Sequence, residues 1–354
     1  MGKKLFDYVI GNPPYNEDFE NSGENGNFAK PVYNYFMDAT YRIADKVELI
    51  HPARFLFNAG STPKAWNDKM LNDEHFKILS YEANSKNVFS NTDIKGGVAI
   101  SYWDSEKNYG AIGTFTAFEE LNSILKKVTA ISKDFLNDII SGRGVYKLSD
   151  IALEENPEII EIQSTGHKKD VGAGAFKVLM NIVFFEEKPN DMFEYVKYLG
   201  LVSNKRVYRW GRKEYLDAPE SFSKYKVFIP KANGSGALGE VLSTPLIGEP
   251  LIGEPLIGAT ETFLSVGSFD TFYEANSCLK YIKSKFARAM LGVLKITQDN
   301  TKEKWKFVPL QNFTSNSDID WSKSIHEIDL QLYRKYGLDD KEINFIESHV
   351  KEMA

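Results

Sequence analysis

FDYVIGNPPYNEDFE, residues 6–20, opens on an apolar run that stops at a glycine and two prolines. Such a run, halted by Gly11 and Pro13-Pro14, is a strand over 7–10 that empties into a loop. Neither proline has an N–H to donate, and each fixes φ at about −65°. The Asn12 and Pro13 carbonyls are therefore held outward with Tyr15 beside them. That arrangement suits a planar group that offers hydrogen-bond donors.

Working outward, the next hundred residues alternate by type. A Gly/Asn-rich polar stretch, 17–30, reads as mobile, and a helix is expected over 31–45. A strand over 47–50 is closed by His51-Pro52. Ser61-Thr62-Pro63 reads as the cap and first turn of a helix running to Leu71. Two more strands are expected over 76–82 and 97–103. Strands alternating with helices predict a mostly parallel α/β sheet.

Beyond Gly110 the rhythm breaks into short helices, aromatic strands such as 225–229 and Gly/Pro loops. Residues 275–294 predict one amphipathic helix, with Ala275, Leu279, Ile282, Phe286, Ala289, Met290 and Val293 as its apolar stripe. The tail, 325–353, reads as two short helices broken at Gly337. Ahead of the 275–294 helix stands PLIGE-PLIGE-PLIGA, 245–259, three near-identical pentads. A period of five fits no common solenoid, and Pro and Gly in each unit forbid a helix, so an extended loop or strand edge is expected. A duplicated coding unit explains it, and a change of copy number would shift the geometry of the second half.

The 354 residues suffice for two domains; 42% are hydrophobic and 26% charged, ordinary for a soluble globular protein. No apolar run approaches a membrane span and the N-terminus lacks a signal-peptide core, so a cytoplasmic location is expected. Cys278 is the one cysteine, which excludes a disulfide framework or thiolate cluster, and no metal site is expected. The net charge of −6 argues against an indiscriminate nucleic-acid coat. Two stretches run the other way, 201–231 and 280–306. Lys205, Arg206, Arg209, Arg212 and Lys213 in the first, with Lys283 and Arg288 in the second, are the candidate DNA-facing cations. Tyr208 and Trp210 sit among them, placed to stack or wedge at DNA. Solvated faces and buried aromatics are the plain alternatives.

Asn12-Pro13-Pro14-Tyr15 behind an apolar strand resembles the catalytic motif of amino-group methyltransferases, especially the N6-adenine DNA methyltransferases of restriction–modification systems. The resemblance implies that the Asn12 side-chain oxygen and the Pro13 carbonyl accept the two N–H bonds of an adenine amino group. This localises the nitrogen lone pair and aims it at the sulfonium methyl of S-adenosyl-L-methionine, so positioning and directed hydrogen bonds do the catalysis. It also implies a flipped base, with Tyr15 as its stacking partner. Asn87-Val88-Phe89-Ser90-Asn91, ahead of Gly96-Gly97-Val98-Ala99-Ile100, is similar to the segment where the family supplies a second aromatic, so Phe89 is a further base-stacking candidate or else a core residue; serine replaces the usual proline. Val47–Phe57, VELIHPARFLF, resembles the family's strand-then-proline segment. Phe36 stands where relatives pack the cofactor's adenine, although its helical spacing fits plain core packing better.

The family's cofactor-binding turn, F-x-G-x-G, has no room before Gly11. Residues 233–239, NGSGALG, match G-x-G-x-x-G, but the proline repeat behind them forbids the helix such a turn must open. The resemblance thus implies a partial Rossmann-like methyltransferase sheet in an α/β domain over 1–112. An α+β target-recognition domain follows over 113–318, then a short helical tail over 319–354 similar to tails on large restriction-linked methylases. It implies a site-specific adenine methyltransferase component acting on double-stranded DNA. A partner subunit, or a missing N-terminal segment, would supply the cofactor-binding half. No nuclease constellation is evident, so cleavage is expected on another chain. The alternatives are a DNA-binding remnant that cannot methylate, or an NPPY enzyme acting on RNA or a protein glutamine.

Overall fold

The computed structural model describes residues 4–17, 30–58, 60–90, 94, 96–232, 248–295 and 300–353. The chain divides into two compact units, Met1–Asn122 and Ser123–Ala354. The first holds β1 (Phe6–Gly11), α1 (Tyr33–Ile43), β2 (Ala44–Pro52), α2 (Lys64–Leu71), β3 (Phe76–Glu82) and β4 (Val98–Asp104). Its four strands lie in the order β1-β2-β4-β3.

Only β1 and β2 pair in parallel; β4 is antiparallel to both β2 and β3. The expected mostly parallel sheet is therefore a mixed one. The reason lies in the connections. A parallel neighbour needs a crossover of a dozen or more residues, usually a helix, and α1 supplies one between β1 and β2. Between β3 and β4 the described residues hold a single 3₁₀ turn, Ser85–Asn87, and no α-helix, and β4 turns back into the sheet. Gly97 makes that return possible: its φ is +78°, and a Cβ there would stand 2.4 Å from the Glu82 carbonyl oxygen.

Boundaries shift for local reasons. Strand β2 starts directly at the end of α1 and runs through His51 to Pro52, which still pairs with Val98. The cap of α2 is Pro63, with no side-chain cap bond; the Thr62 hydroxyl instead reaches Asn67 Oδ1 at 2.7 Å. Helices α1 and α2 cover one face of the sheet. Tyr33, Met37, Val47, Leu49, Phe55, Trp66, Met70 and Phe76 form one cluster there. On the opposite face Phe6, Tyr8 and Ile10 are exposed, Ile10 by 70%.

The second unit runs α3 (Glu119–Ile131), β5 (Lys147–Leu148), α4 (Asp150–Glu155), α5 (Ile159–Ile162), α6 (Ala175–Val178), β6 (Phe184–Phe185), β7 (Tyr195–Val202), β8 (Lys205–Arg212) and β9 (Leu216–Asp217). It continues with β10 (Tyr225–Pro230), β11 (Leu251–Gly253), β12 (Ile257–Ala259), β13 (Phe263–Phe269), α7 (Phe272–Lys283), α8 (Lys285–Gly292), α9 (Ile325–Lys335) and α10 (Asp340–His349). Its main sheets are β12-β7-β8-β6 and β11-β10-β13, with a two-stranded ribbon of β5 and β9. The single helix expected over 275–294 is two. Ser284 adopts an extended conformation and its hydroxyl accepts from the Ala287 N–H, capping α8. Helices α9 and α10 break at Gly337, at φ +61°, as their sequence requires. Among the described residues no helix is long and apolar enough to cross a membrane.

Candidate active site

Strand β3 runs in the same sense as β1 and β2, because all three alternate with or flank the reversed β4. The loops that follow β1, β2 and β3 therefore emerge at one end of the sheet. Those loops carry Asn12–Tyr15, Ala53–Phe57 and Asn87–Phe89. In open α/β sheets the carboxyl ends of the strands are where ligands bind.

The motif loop starts at Gly11, the last residue of β1, still paired with Leu49. Asn12 and Pro14 are exposed, Pro13 and Tyr15 half-buried. The loop is pinned behind the motif: the Val32 N–H donates to the Tyr15 carbonyl at 3.0 Å, and Asn16 bridges to Pro31. The two aromatics expected to stack a base do meet. The Tyr15 and Phe89 rings stand 6.4 Å apart, edge to face at 65°. Tyr15 packs against the core cluster of the sheet, and its hydroxyl is buried with no hydrogen-bond partner. Burial pushes that phenol up to about 12, so it stays protonated at any ordinary pH.

Around this loop His51 is fully buried, with its ring parallel to that of Tyr33 at 6.1 Å. Its Nε2 lies 2.8 Å from Ser101 Oγ. Desolvation pulls its pKa down to about 4, so it is neutral. Phe36, which helical spacing placed in the core, is exposed on α1. Its ring is available to a ligand. The stretch 17–30 is described only at Glu17 and Lys30, and the glycine-rich turn at 233–239 lies outside the described residues.

The cationic candidates need correction. Arg212 is buried, shared between Glu155 and Glu214, with its guanidinium 3.4 Å from the Phe193 ring centre. Arg209 pairs with Glu186 at 2.6 Å and Lys213 with Glu194 at 3.0 Å. Arg206 donates to the Glu249 carbonyl. Lys205 remains exposed. In the second stretch Arg288 is 1% exposed and donates to the Lys283 and Lys351 carbonyls, because the break at Ser284 leaves α8 buried over almost its whole length. Lys283 pairs with Glu249, and Lys280 reaches the carbonyls of Trp321 and Lys323. Lys280, Lys283 and Arg288 thus tie parts of the second unit together. Sequence reasoning stopped its first window at 201 and so missed Lys188 and Lys197, both exposed beside Trp210.

Residues 1–89 match the Eco57I restriction-modification methylase family. A protein of Mycoplasma pneumoniae described as an uncharacterized adenine-specific methylase is 31% identical over 110 residues, covering 31% of this chain and 25% of its own length. Two solved structures are similar over more of the chain. The type IIG restriction endonuclease BpuSI gives a TM-score of 0.36 at 12% identity, over 92% of this chain and 48% of its own. The type IIL restriction-modification enzyme MmeI, solved in complex with DNA, gives 0.37 at 10% identity, over 97% and 56%. The chain thus spans a quarter of the curated relative and about half of each solved enzyme. The resemblance to the adenine methylases of restriction–modification systems rests on the NPPY-bearing stretch where it was read.

Proposed function

We propose that this chain is the base-holding and target-recognition part of a restriction–modification DNA adenine methyltransferase. The observation that carries the reading is the Asn12-Pro13-Pro14 segment at the carboxyl end of β1, exposed at Asn12 and Pro14, with Tyr15 and Phe89 6.4 Å apart beside it, inside the stretch that matches the family. An adenine flipped out of the duplex presents two amino hydrogens. Asn12 Oδ1 and the Pro13 carbonyl accept them, while Tyr15 and Phe89 offer ring surface to the base. Holding the nitrogen in this geometry localises its lone pair for attack on a methyl donor.

S-adenosyl-L-methionine supplies an electrophilic methyl group when bound. The described residues meet it only in part. Phe36 presents an exposed ring, but no glycine turn or ribose-binding acid stands with it. A partner subunit, or a longer form of the chain, brings the rest of that site and any nuclease. Among the described residues no strand pairs with the outer edge of β1, and the exposed Phe6, Tyr8 and Ile10 line the face beside it, which supports a sheet continued by another segment.

The test is methyl transfer by the complete assembly. Asn12→Ala should lower the rate on the order of a hundredfold or more, as losing one directed hydrogen bond at a reacting centre does. Tyr15→Ala should cost about tenfold to a hundredfold through lost stacking. Tyr15→Phe should keep most of the activity and all of the stability, since the hydroxyl it removes has no partner. Rates unchanged in both alanine variants would end the assignment.

A further inference from the structure

Strands β6, β8 and β7 place Phe185, Trp210 and Lys197 in one cross-strand row, since Phe185 and Lys197 both pair with Trp210. Tyr208, two residues along β8, lies on the same face and is 42% exposed. The Lys197 ammonium stands 5.0 Å from the Trp210 ring centre and the Lys188 ammonium 5.8 Å from it. Two exposed cations thus flank one indole. Neither makes an ion pair with a described carboxylate. Arg209, Arg212 and Lys213, their neighbours on the same hairpin, all do. Each ammonium is held by the ring face and leaves its N–H groups open to an anion.

We propose that this row is where the second unit grips duplex DNA, with Lys188 and Lys197 on backbone phosphates and the exposed edge of Trp210, with Tyr208, against sugar or bases. The proposal rests on the reading of DNA as substrate and locates its contact surface. Charge complementarity commits it to that partner: phosphates recur along a duplex, and unpaired cations interleaved with aromatics are the chemistry that grips them. Cations already held by carboxylates would have to give up those partners first, which is why the arginine-rich segment 205–213 is the weaker contact.

The experiment uses the full chain and a fluorescein-labelled duplex of mixed sequence, with affinity measured by anisotropy between low and moderate salt. Lys188 and Lys197 are exposed, so Lys188→Ala/Lys197→Ala should keep the circular-dichroism spectrum and melting temperature. Its log–log salt slope should be shallower than wild type by about 1.8, at about 0.9 for each phosphate that no longer meets a cation. Lys224→Ala removes a lysine already paired with Asp270 and should leave the slope unchanged. Trp210 emission should be quenched on adding DNA. A wild-type slope in the double lysine variant overturns the contact surface while leaving DNA as substrate. A wild-type chain that does not bind duplex DNA at all overturns the substrate reading itself.

Discussion

At the scale of single residues, what the sequence disclosed was backbone chemistry, and what it hid was pairing. Asn12–Tyr15 could be read because two prolines dictate the course of the chain wherever they stand. The arginines could not, because carboxylates that claim them also come from far along the chain: Glu155 lies 57 residues from Arg212, and Glu186 lies 23 from Arg209. His51 was read only as the end of a strand, and its burial against Tyr33 gives it a consequence for stability. Its pKa falls from an ordinary 6.5 to about 4 in the folded chain. The unfolded chain therefore binds the extra proton throughout that window, and acidification favours it. Stability is full above about pH 6.5 and is lost as the pH falls toward 4, by on the order of 3 kcal/mol at most. His51→Gln retains a partner for the Ser101 hydroxyl but cannot titrate. Urea unfolding of the first unit at pH 6.5 and 4.5 should show a smaller loss in the variant than in wild type. Parallel losses would mean that other groups govern the acid response.

At the scale of elements, the expected strands stood within a residue or two of their places, except β2, which starts three residues early. Their directions did not, since a sequence shows where a strand is and says little about which neighbour it takes. The proline–glycine pentads are the sharpest case, nearly identical in sequence and different in place. The second copy forms β11 on β10, where a Cβ at Gly253 would lie 2.4 Å from the Phe228 ring. The third forms β12 on β7, with Gly258 against Tyr198. Leu256, at φ +64°, turns the chain from one sheet to the other. The buried Lys226 ammonium fastens that turn by donating to the carbonyls of Phe222, Glu254 and Ile257 at 3.1–3.2 Å. Two strand slots thus read two copies. Deleting 245–249 leaves the same residues in both slots; among the described contacts it removes Glu249, whose carboxylate pairs with Lys283, worth about 1 kcal/mol or less, and whose carbonyl accepts from Arg206. That variant should unfold cooperatively within a few degrees of wild type. Deleting two copies empties a slot and should abolish the transition. Loss of folding in the single deletion would show that the first copy is structural, and a changed copy number would then reshape the unit as the sequence alone suggested.

At the scale of the whole molecule, the first unit is a sheet with one finished face. Helices α1 and α2 cover the side that carries Val47, Leu49 and His51, while Phe6 and Ile10 on the other side stay exposed by 52% and 70%. Sheets with parallel strands are ordinarily covered on both faces. Exposed apolar side chains beside a strand edge that no described strand pairs with are costly in water and ready for a partner. The proposed function gives that partner a task, because the described residues offer a methyl donor little beyond Phe36. The isolated chain should therefore bind S-adenosyl-L-methionine weakly, with no saturation in calorimetry up to about 1 mM, where the binding free energy is only about −4 kcal/mol. Adding the chain that carries the cofactor-binding half should bring saturable binding, and Ile10→Lys, which removes the most exposed apolar side chain of β1, should weaken it at least tenfold while Asn12→Ala leaves it alone. Micromolar binding by the isolated chain would relocate the donor site within this sequence, with residues 233–239 as the first place to look. Equal donor affinity in the Ile10→Lys assembly would mean that the partner docks elsewhere, and that the bare face of the sheet serves something other than completing the methyltransferase.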